Sequence, residues 1–487
     1  MRMSEPKRIH PISVVLTALK QLKEMIVPII FVTIFGRRGS EWDIFSLGIP
    51  AAVIALSLIY SFIFWLRFTY RIEENELRIE SGVFVRHKRY IPFERIHSLD
   101  QSEGILHRAF GLVKLKVETA APGGIGKEEA EAVLAAISKQ EANRFQEILK
   151  EIKNRNVKMV ADEEQAEESL IYKMSTKELI MLATTSGGVG VILSAVIAFL
   201  TQIEELIPYK TVFDQFNSFI TNGIVVISVL VLIGFLFVWF IALIGTMFKY
   251  ANFSVRKTGA DFVISRGLIE KRQITVPLKR IQSVRISQNI LRQPFGYGTV
   301  FFETAGGSVE NKELSKVMVL PIVKRKEMAE ILGKWLPDYQ LNVKVQHAPN
   351  RALWRYLIKG WLMILPVILI PPIFLGPWAW LTLLLILPIT YLQYLTHHDA
   401  GWSIDENQLT LQFREINKHI VFVTKRKIQS VKSSESYFQR NQGLSTIRAL
   451  VKSGHGGGGG RVIDIEREDA VTIFKWLSRE KGNEKSL

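Results

Sequence analysis

Ile91-Pro92-Phe93-Glu94-Arg95-Ile96-His97-Ser98-Leu99 returns as Val276-Pro277-Leu278-Lys279-Arg280-Ile281-Gln282-Ser283-Val284, and again as Val423-Thr424-Lys425-Arg426-Lys427-Ile428-Gln429-Ser430-Val431. The first copy is followed by Phe110-Gly111-Leu112 and Thr119-Ala120, the second by Phe295-Gly296-Tyr297 and Thr304-Ala305, the third by Gln442-Gly443-Leu444. The spacing from the Ile–Ser pair to the Gly agrees in all three without a gap, so one structural unit occurs three times. Tyr70-Arg71-Ile72 and Leu77-Arg78-Ile79 alternate apolar and polar residues, the period of a half-buried strand. Glu74-Asn75 and Asp405-Glu406-Asn407 supply turn residues between such strands, and Gly82 and Gly267 sit where a second turn is needed. The third copy has Arg414-Glu415 there and must turn differently. Amphipathic helices are predicted over Pro321–Leu336 and Glu468–Ser478, both with Lys-Trp-Leu near the end, each capping the open end of a curved sheet. The first copy places its helix within Gly126–Glu168, before a solvated acidic linker, Asp162–Glu168.

Apolar blocks separate the copies. The chain has 487 residues, 48% of them hydrophobic, with 62 Lys and Arg against 46 Asp and Glu. The apolar residues are gathered and the charge lies between them, which excludes a single soluble globular domain and a disordered chain. Cysteine is absent, so disulfides, thiolate metal sites and cysteine nucleophiles are excluded. Phe45–Leu66, Leu179–Leu200, Phe219–Phe248, Ala352–Leu375 and Pro377–Leu395 match the roughly 20 residues that cross a bilayer. Met25–Phe35 is shorter, but Glu24–Phe31 resembles Met363–Leu369 in pattern, and the segment is expected to span after an amphipathic lead-in. The result is six spans in three hairpins. The alternative for the first segment is a helix lying in the interface. Short loops inside the hairpins carry little positive charge, so the copies and both termini are expected on the cytoplasmic side. No cleavable signal peptide is visible.

An Ile-Pro-x-x-Arg-Ile-x-Ser strand, a Phe-Gly turn, a Thr-Ala strand end and a closing helix resemble the bacterial pleckstrin-homology-like (PH-like) domain, also called the membrane-flanked domain. Three of them behind three hairpins resemble the YdbT-like membrane proteins. The resemblance implies a multi-domain membrane protein with six transmembrane α-helices in three hairpins. It also implies three α+β PH-like domains, each a bent antiparallel β-barrel capped by a C-terminal helix. On this reading residues 11–66, 170–248 and 347–395 are hairpins, and residues 67–169, 249–346 and 396–487 are PH-like domains. It further implies no established catalytic activity and a smaller one-domain relative as a frequent neighbour; no cofactor is expected. The third copy departs most, lacking the Pro and the Phe of the motif.

Chemistry-bearing patterns are few. No HExxH, GxSxG or Walker-type loop occurs. His397-His398-Asp399 offers ligand types but no second cluster, and a polar exit from the membrane is the favoured reading. Gly454 to Gly460 lacks the Lys-Ser/Thr of a phosphate cradle and reads as a flexible loop between strands. The basic surface stands above background. Arg95, Arg266, Lys271, Arg272, Arg280, Lys425, Arg426 and Lys427 are the candidate residues for anionic lipid headgroups. The alternative is that these charges only obey topology and solubility. Exposed sheet edges suggest a homo-oligomer or assembly with a one-domain relative, while nucleic acid is not expected. The function expected is a non-enzymatic scaffold on the membrane surface that binds anionic lipid or partner proteins, in envelope maintenance or resistance to membrane-active compounds. A transporter gated by its modules is the alternative.

Overall fold

The computed structural model describes residues 6–35, 42–73, 75–119, 131–157, 169–186, 223–305, 315–375, 377–453 and 458–478. The acidic linker and most of Leu179–Leu200 lie outside them. The first copy of the repeat supplies β1 (Lys7–Arg8), β2 (Thr69–Glu73), β3 (Glu76–Ser81), β4 (His87–Pro92), β5 (Ile96–Glu103), β6 (Leu112–Thr119) and β7 (Glu131–Ser138). The second supplies β8 (Ser169–Lys173), β9 (Ser254–Thr258), β10 (Asp261–Arg266), β11 (Lys271–Pro277), β12 (Ile281–Gln288), β13 (Tyr297–Thr304) and β14 (Lys316–Lys324). The third supplies β15 (Gln346–His347), β16 (Gly401–Asp405), β17 (Gln408–Arg414), β18 (Lys418–Thr424), β19 (Ile428–Ser434), β20 (Leu444–Val451) and β21 (Gly458–Glu466).

The repeated motif is a folded device. Its centre is a 3₁₀ turn in every copy, at Phe93–Arg95, Leu278–Arg280 and Lys425–Lys427. The register then slips by one residue between Ile96 and Ser98, between Ile281 and Ser283, and between Ile428 and Ser430. His97, Gln282 and Gln429 are therefore bulged residues, and a bulge bends and twists its strand. The flanking Ile and Ser repeat because they hold the register on either side. The middle residue varies because the bulge takes it out of the ladder.

The bend decides what each half-module pairs with. The chain divides into two units, Met1–Ser169 with Lys257–Pro277, and Leu170–Arg256 with Leu278–Leu487. In the first, β1-β2-β3-β4 form one sheet, while β5 turns away from β4 and pairs antiparallel with β11 of the next copy, giving the run β7-β6-β5-β11-β10. In the second, β12 pairs antiparallel with β18, giving β14-β13-β12-β18-β17-β16-β15, and β19-β20-β21 stand as a separate sheet. The expected barrel within each copy is corrected here, because the sheets do not close: β5 and β12 join the fourth strand of the next copy, and β19 begins a separate sheet. Both junctions keep one register. Asp100, Gln101, Ser102 and Glu103 face Ile274, Gln273, Arg272 and Lys271, and their equivalents Arg285, Ile286, Ser287 and Gln288 face Val421, Ile420, His419 and Lys418.

Helices cap the sheets as amphipathic spacing predicts. Phe145 and Leu149 of the helix Lys139–Val157 enter a core with Leu77, Phe93, Leu115 and Leu134. Ile473 of the helix Arg467–Ser478 joins Leu409, Leu444 and Ile447. The second capping helix is Arg325–Gly333, shorter than predicted, because Pro321 belongs to β14. Of the Gly-rich stretch, Gly458–Gly460 lie in β21 rather than in a loop, and residues 454–457 lie outside the described residues.

Among the described residues three helices, not six, are long and apolar enough to cross a membrane: Leu232–Tyr250, Asn350–Ile373 and Trp380–His398. A fourth apolar helix, Ala51–Arg67, is shorter. The lead-in and the first apolar segment form one helix, Ile12–Phe35. This hairpin leaves β1 and returns into β2, strands that pair at Lys7 and Tyr70, and the third leaves β15 and returns into β16, which pair at Gln346 and Trp402. The fused sheet predicts that Gln101→Cys with Gln273→Cys, introduced into a chain without native cysteine, will form an intrachain disulfide on mild oxidation. A monomer of altered gel mobility, absent from either single variant, is the expected product.

Candidate membrane-surface site

In an antiparallel sheet alternate connections share an end. Hairpins between the first and second strands therefore put the third-to-fourth turn beside the helix ends. Arg67, the last residue of its helix, donates from Nη1 to the carbonyl of Val83 at 2.7 Å. That turn is tight: Gly82 has φ +120° and a Cβ there would lie 1.8 Å from the Val85 carbonyl oxygen. Gly267 repeats the geometry, with φ +102° and 1.9 Å to the Glu270 carbonyl oxygen. Apolar side chains come directly after each glycine and project into solvent. Phe84 is 92% exposed, and Leu268 and Ile269 are also exposed. The third copy places Ile416 at the same position, 65% exposed.

The fifth-to-sixth-strand turn reaches the same end. In the first unit the His10 ring lies 6.0 Å from that of Phe110, and Arg108 Nη1 donates to Leu268 O at 2.7 Å, so both kinds of turn meet at the start of helix Ile12–Phe35. In the second, Asn289 Nδ2 donates to Thr185 O at 3.0 Å, and Arg292 Nε to Thr185 Oγ1 at 2.6 Å, behind exposed Leu291 and Phe295. Arg351 Nε donates to Gln442 O at 3.2 Å, beside Tyr437 and Phe438.

The charged candidates divide by position. Lys271 is exposed at this end, opposite Glu103. Arg272 is held across the β5–β11 seam by Asp100, with Nη2 2.6 Å from Oδ2, and Arg266 is buried on β10 opposite Arg272. Arg95, Arg280, Lys425, Arg426 and Lys427 occupy the 3₁₀ turns or their ends. A strand of six to eight residues spans about 20–25 Å, so these turns stand that far from the helix ends. Burial brings Arg280 down to about 10, Lys425 Nζ sits 5.3 Å over the Trp476 ring, and Lys427 Nζ donates to Lys279 O at 3.0 Å. The eight residues are therefore not one surface. Sequence reasoning missed the apolar tips, whose signal was an apolar pair straight after a turn glycine, where a polar residue is the rule.

The other chemical patterns resolve into structure. Asp399 is buried at the exit of the third hairpin. Its Oδ2 accepts from Arg414 Nε and its Oδ1 from Lys418 Nζ, both at 2.7 Å. His397 Nε2 lies 3.1 Å from Pro349 O, while the side chain of His398 is largely exposed. Among the described residues no group of three His, Asp or Glu could hold a metal. Gly459 N donates to Glu303 Oε2 at 2.9 Å and Arg285 Nε to Glu303 Oε1 at 2.6 Å, so an internal carboxylate occupies the glycine backbone where a phosphate would sit.

Three family segments agree with this architecture: the model for the bacterial PH domain matches residues 22–153, 193–338 and 362–481. The chain belongs to the bacterial PH domain family, in its membrane-spanning form. Over 99% of its length it is 41% identical to UPF0699 transmembrane protein YdbT of Bacillus subtilis (strain 168), whose whole length is covered. It is also 32% identical over 74 residues to UPF0699 transmembrane protein YdbS of the same organism, covering 14% of this chain and 46% of that one. No solved structure matches.

The buried charges yield two expected outcomes. Asp399→Asn leaves Arg414 and Lys418 without their carboxylate and should cost about 3–5 kcal/mol, read as a lower unfolding midpoint in detergent, while a chelator leaves the wild-type midpoint in place. His419 is held neutral by burial and by Arg285, Lys316 and Arg414, its pKa brought down to about 3 from 6.5. The unfolded chain takes that proton near 6.5 and the folded chain does not. This contribution is complete above pH 6.5 and is lost as pH falls toward 3, by up to about 1.4 kcal/mol per pH unit. His419→Gln should flatten that part of the pH dependence of the unfolding midpoint.

Proposed function

We propose that this chain is a six-span membrane protein whose three PH-like domains form a scaffold on the cytoplasmic face, binding anionic lipid headgroups and partner proteins without catalysis. The observation that carries the reading is the repeated junction. Two seams of identical register turn separate modules into continuous sheets, each held against the helix ends. Such a continuous sheet supports the reading as a platform. Positive charge outside the hairpins supports the cytoplasmic orientation.

The two basic regions suit two classes of ligand. Arg86, Lys88 and Lys271 are exposed at the helix end, within reach of anionic headgroups. Arg86 and Lys88 share Glu80, and surface pairs of that kind contribute little. Arg95 and Arg426 project from the turns at the opposite end, where an acidic partner protein could meet them. The β19 edge is a further route to a partner of the same fold, a second copy or a one-domain relative, because its equivalents β5 and β12 each hold a neighbouring module. Envelope maintenance, or resistance to membrane-active compounds, is the setting that such a platform fits.

The test is lipid association of the full chain in vesicles, read by spin-labelled phosphatidylglycerol against phosphatidylcholine. Wild type should prefer the anionic lipid, less so at high salt. At about 1 kcal/mol for each near-surface base, Arg86→Glu with Lys88→Glu and Lys271→Glu should cut the preference roughly tenfold or more. Arg95→Glu with Arg426→Glu should leave it in place. No preference in the wild type would sink the lipid part of the proposal.

A further inference from the structure

Equivalent turns in all three modules present exposed apolar side chains at the helix end, although their sequences differ. Gly82-Val83-Phe84, Gly267-Leu268-Ile269 and Arg414-Glu415-Ile416 share one position in the repeat. So do the turns that carry Ile105, Ile290 and Tyr437. Packing does not account for them, because Phe84, Phe295 and Tyr437 expose 92, 66 and 75% of their surface. An exposed apolar residue by itself is ordinary, but six turns at one end of a repeated module form a pattern.

We propose that these turns are membrane-insertion wedges: Phe84, Phe110, Leu268, Phe295, Ile416 and Tyr437 enter the headgroup–acyl boundary of the bilayer that the hairpins span. The inference rests on reading the chain as a membrane-surface scaffold, and it specifies what the modules hold. The attachments identify the occupant. Val83 O is tied to the end of the helix Trp42–Arg67. Phe110 lies against His10, two residues before the helix Ile12–Phe35. Arg292 donates from Nη2 to Leu182 O at 3.2 Å, inside the helix Thr176–Thr184, so Phe295 stands beside backbone that leads into the second hairpin. Arg414 joins the base of the Ile416 turn to Asp399, just past the span Trp380–His398.

Chemistry and geometry favour lipid over a second protein. A side chain fixed at the mouth of a spanning hairpin meets the interface first. Arg86, Arg108 and Lys271 flank the apolar tips, and apolar residues beside basic ones match the boundary between acyl chains and anionic headgroups. The glycine turns make the tips narrow enough to enter without carrying strand backbone into lipid, where unpaired peptide groups are excluded. The modules would thus be pinned at several points, and the sheets would lie at a set height above the bilayer.

The absence of native cysteine makes the test direct. Single cysteines at Phe84, Phe110, Phe295 and Tyr437, and at Glu94 and Arg426 as distal controls, are labelled with an environment-sensitive fluorophore in the full chain. The protein is reconstituted into phosphatidylcholine vesicles, with and without phosphatidylglycerol, containing lipid spin-labelled near the glycerol backbone. Blue-shifted emission that the labelled lipid quenches at the four tips, with neither effect at the controls, is the expected result. Tip emission as water-like and unquenched as the controls would overturn the wedge. So would a blue shift that the lipid does not quench and that vanishes on dilution of protein in lipid, the mark of a second copy. Quenching equal in neutral and anionic vesicles, with no phosphatidylglycerol preference, would keep the wedge and remove headgroup recognition. Loss of quenching with that preference retained would do the reverse.

Discussion

A bulge placed immediately after a 3₁₀ turn is the constraint on which the rest depends. A PH-like half-module of antiparallel strands has two ways to satisfy its edge, closing on its own partner or joining another sheet. The one-residue slip at Ile96–Ser98 and at Ile281–Ser283 adds twist where the chain chooses. Once β5 and β12 turn away, their free peptide groups require a partner, and the next copy's fourth strand provides one in antiparallel register. Edge strands left bare invite aggregation, so fusion also protects two of them.

Side chains then specialise around the seams. At the first, Asp100 and Arg272 pair across the junction. At the second, the equivalent of Asp100 is Arg285, which binds Glu303 of its own sheet and the Gly459 backbone of the third module. The backbone register is the same while the polar solution differs, which is what a shared hydrogen-bond ladder permits. Basic residues that look like a ligand surface in sequence are partly consumed here. Arg272 is an example, since its ion pair with Asp100 ties it to the seam, and Arg266 is buried on the next strand.

The hairpins give the modules a direction. The first and third are inserted between a module's first two strands, so one end of each of those sheets is committed to the helix ends and the other to the 3₁₀ turns. That division sorts residues which a linear reading had grouped. In the first unit Arg95 lies at the opposite end of the strands from Lys271, and in the second Arg280 and Lys425–Lys427 lie at the 3₁₀ end of theirs. On the proposed contact with the bilayer it also accounts for apolar turns at one end, whereas turns at an aqueous end favour polar residues.

The sequence by itself determined the threefold repeat, the strand–turn–strand order, the capping helices and the apolar blocks. Those depend on local periodicity, glycine placement and composition, all legible within a few tens of residues. Only the tertiary structure decided which strands pair, that the barrels stay open, and which basic residues are spent. Gln101 and Gln273 face each other from positions far apart, and backbone hydrogen bonds between strands leave no mark in the side chains that make them. Exposure behaves likewise. Phe84 and Phe93 are the same residue type nine positions apart, yet one projects from a turn and the other fills a core, because the fold alone assigns each a side of the surface.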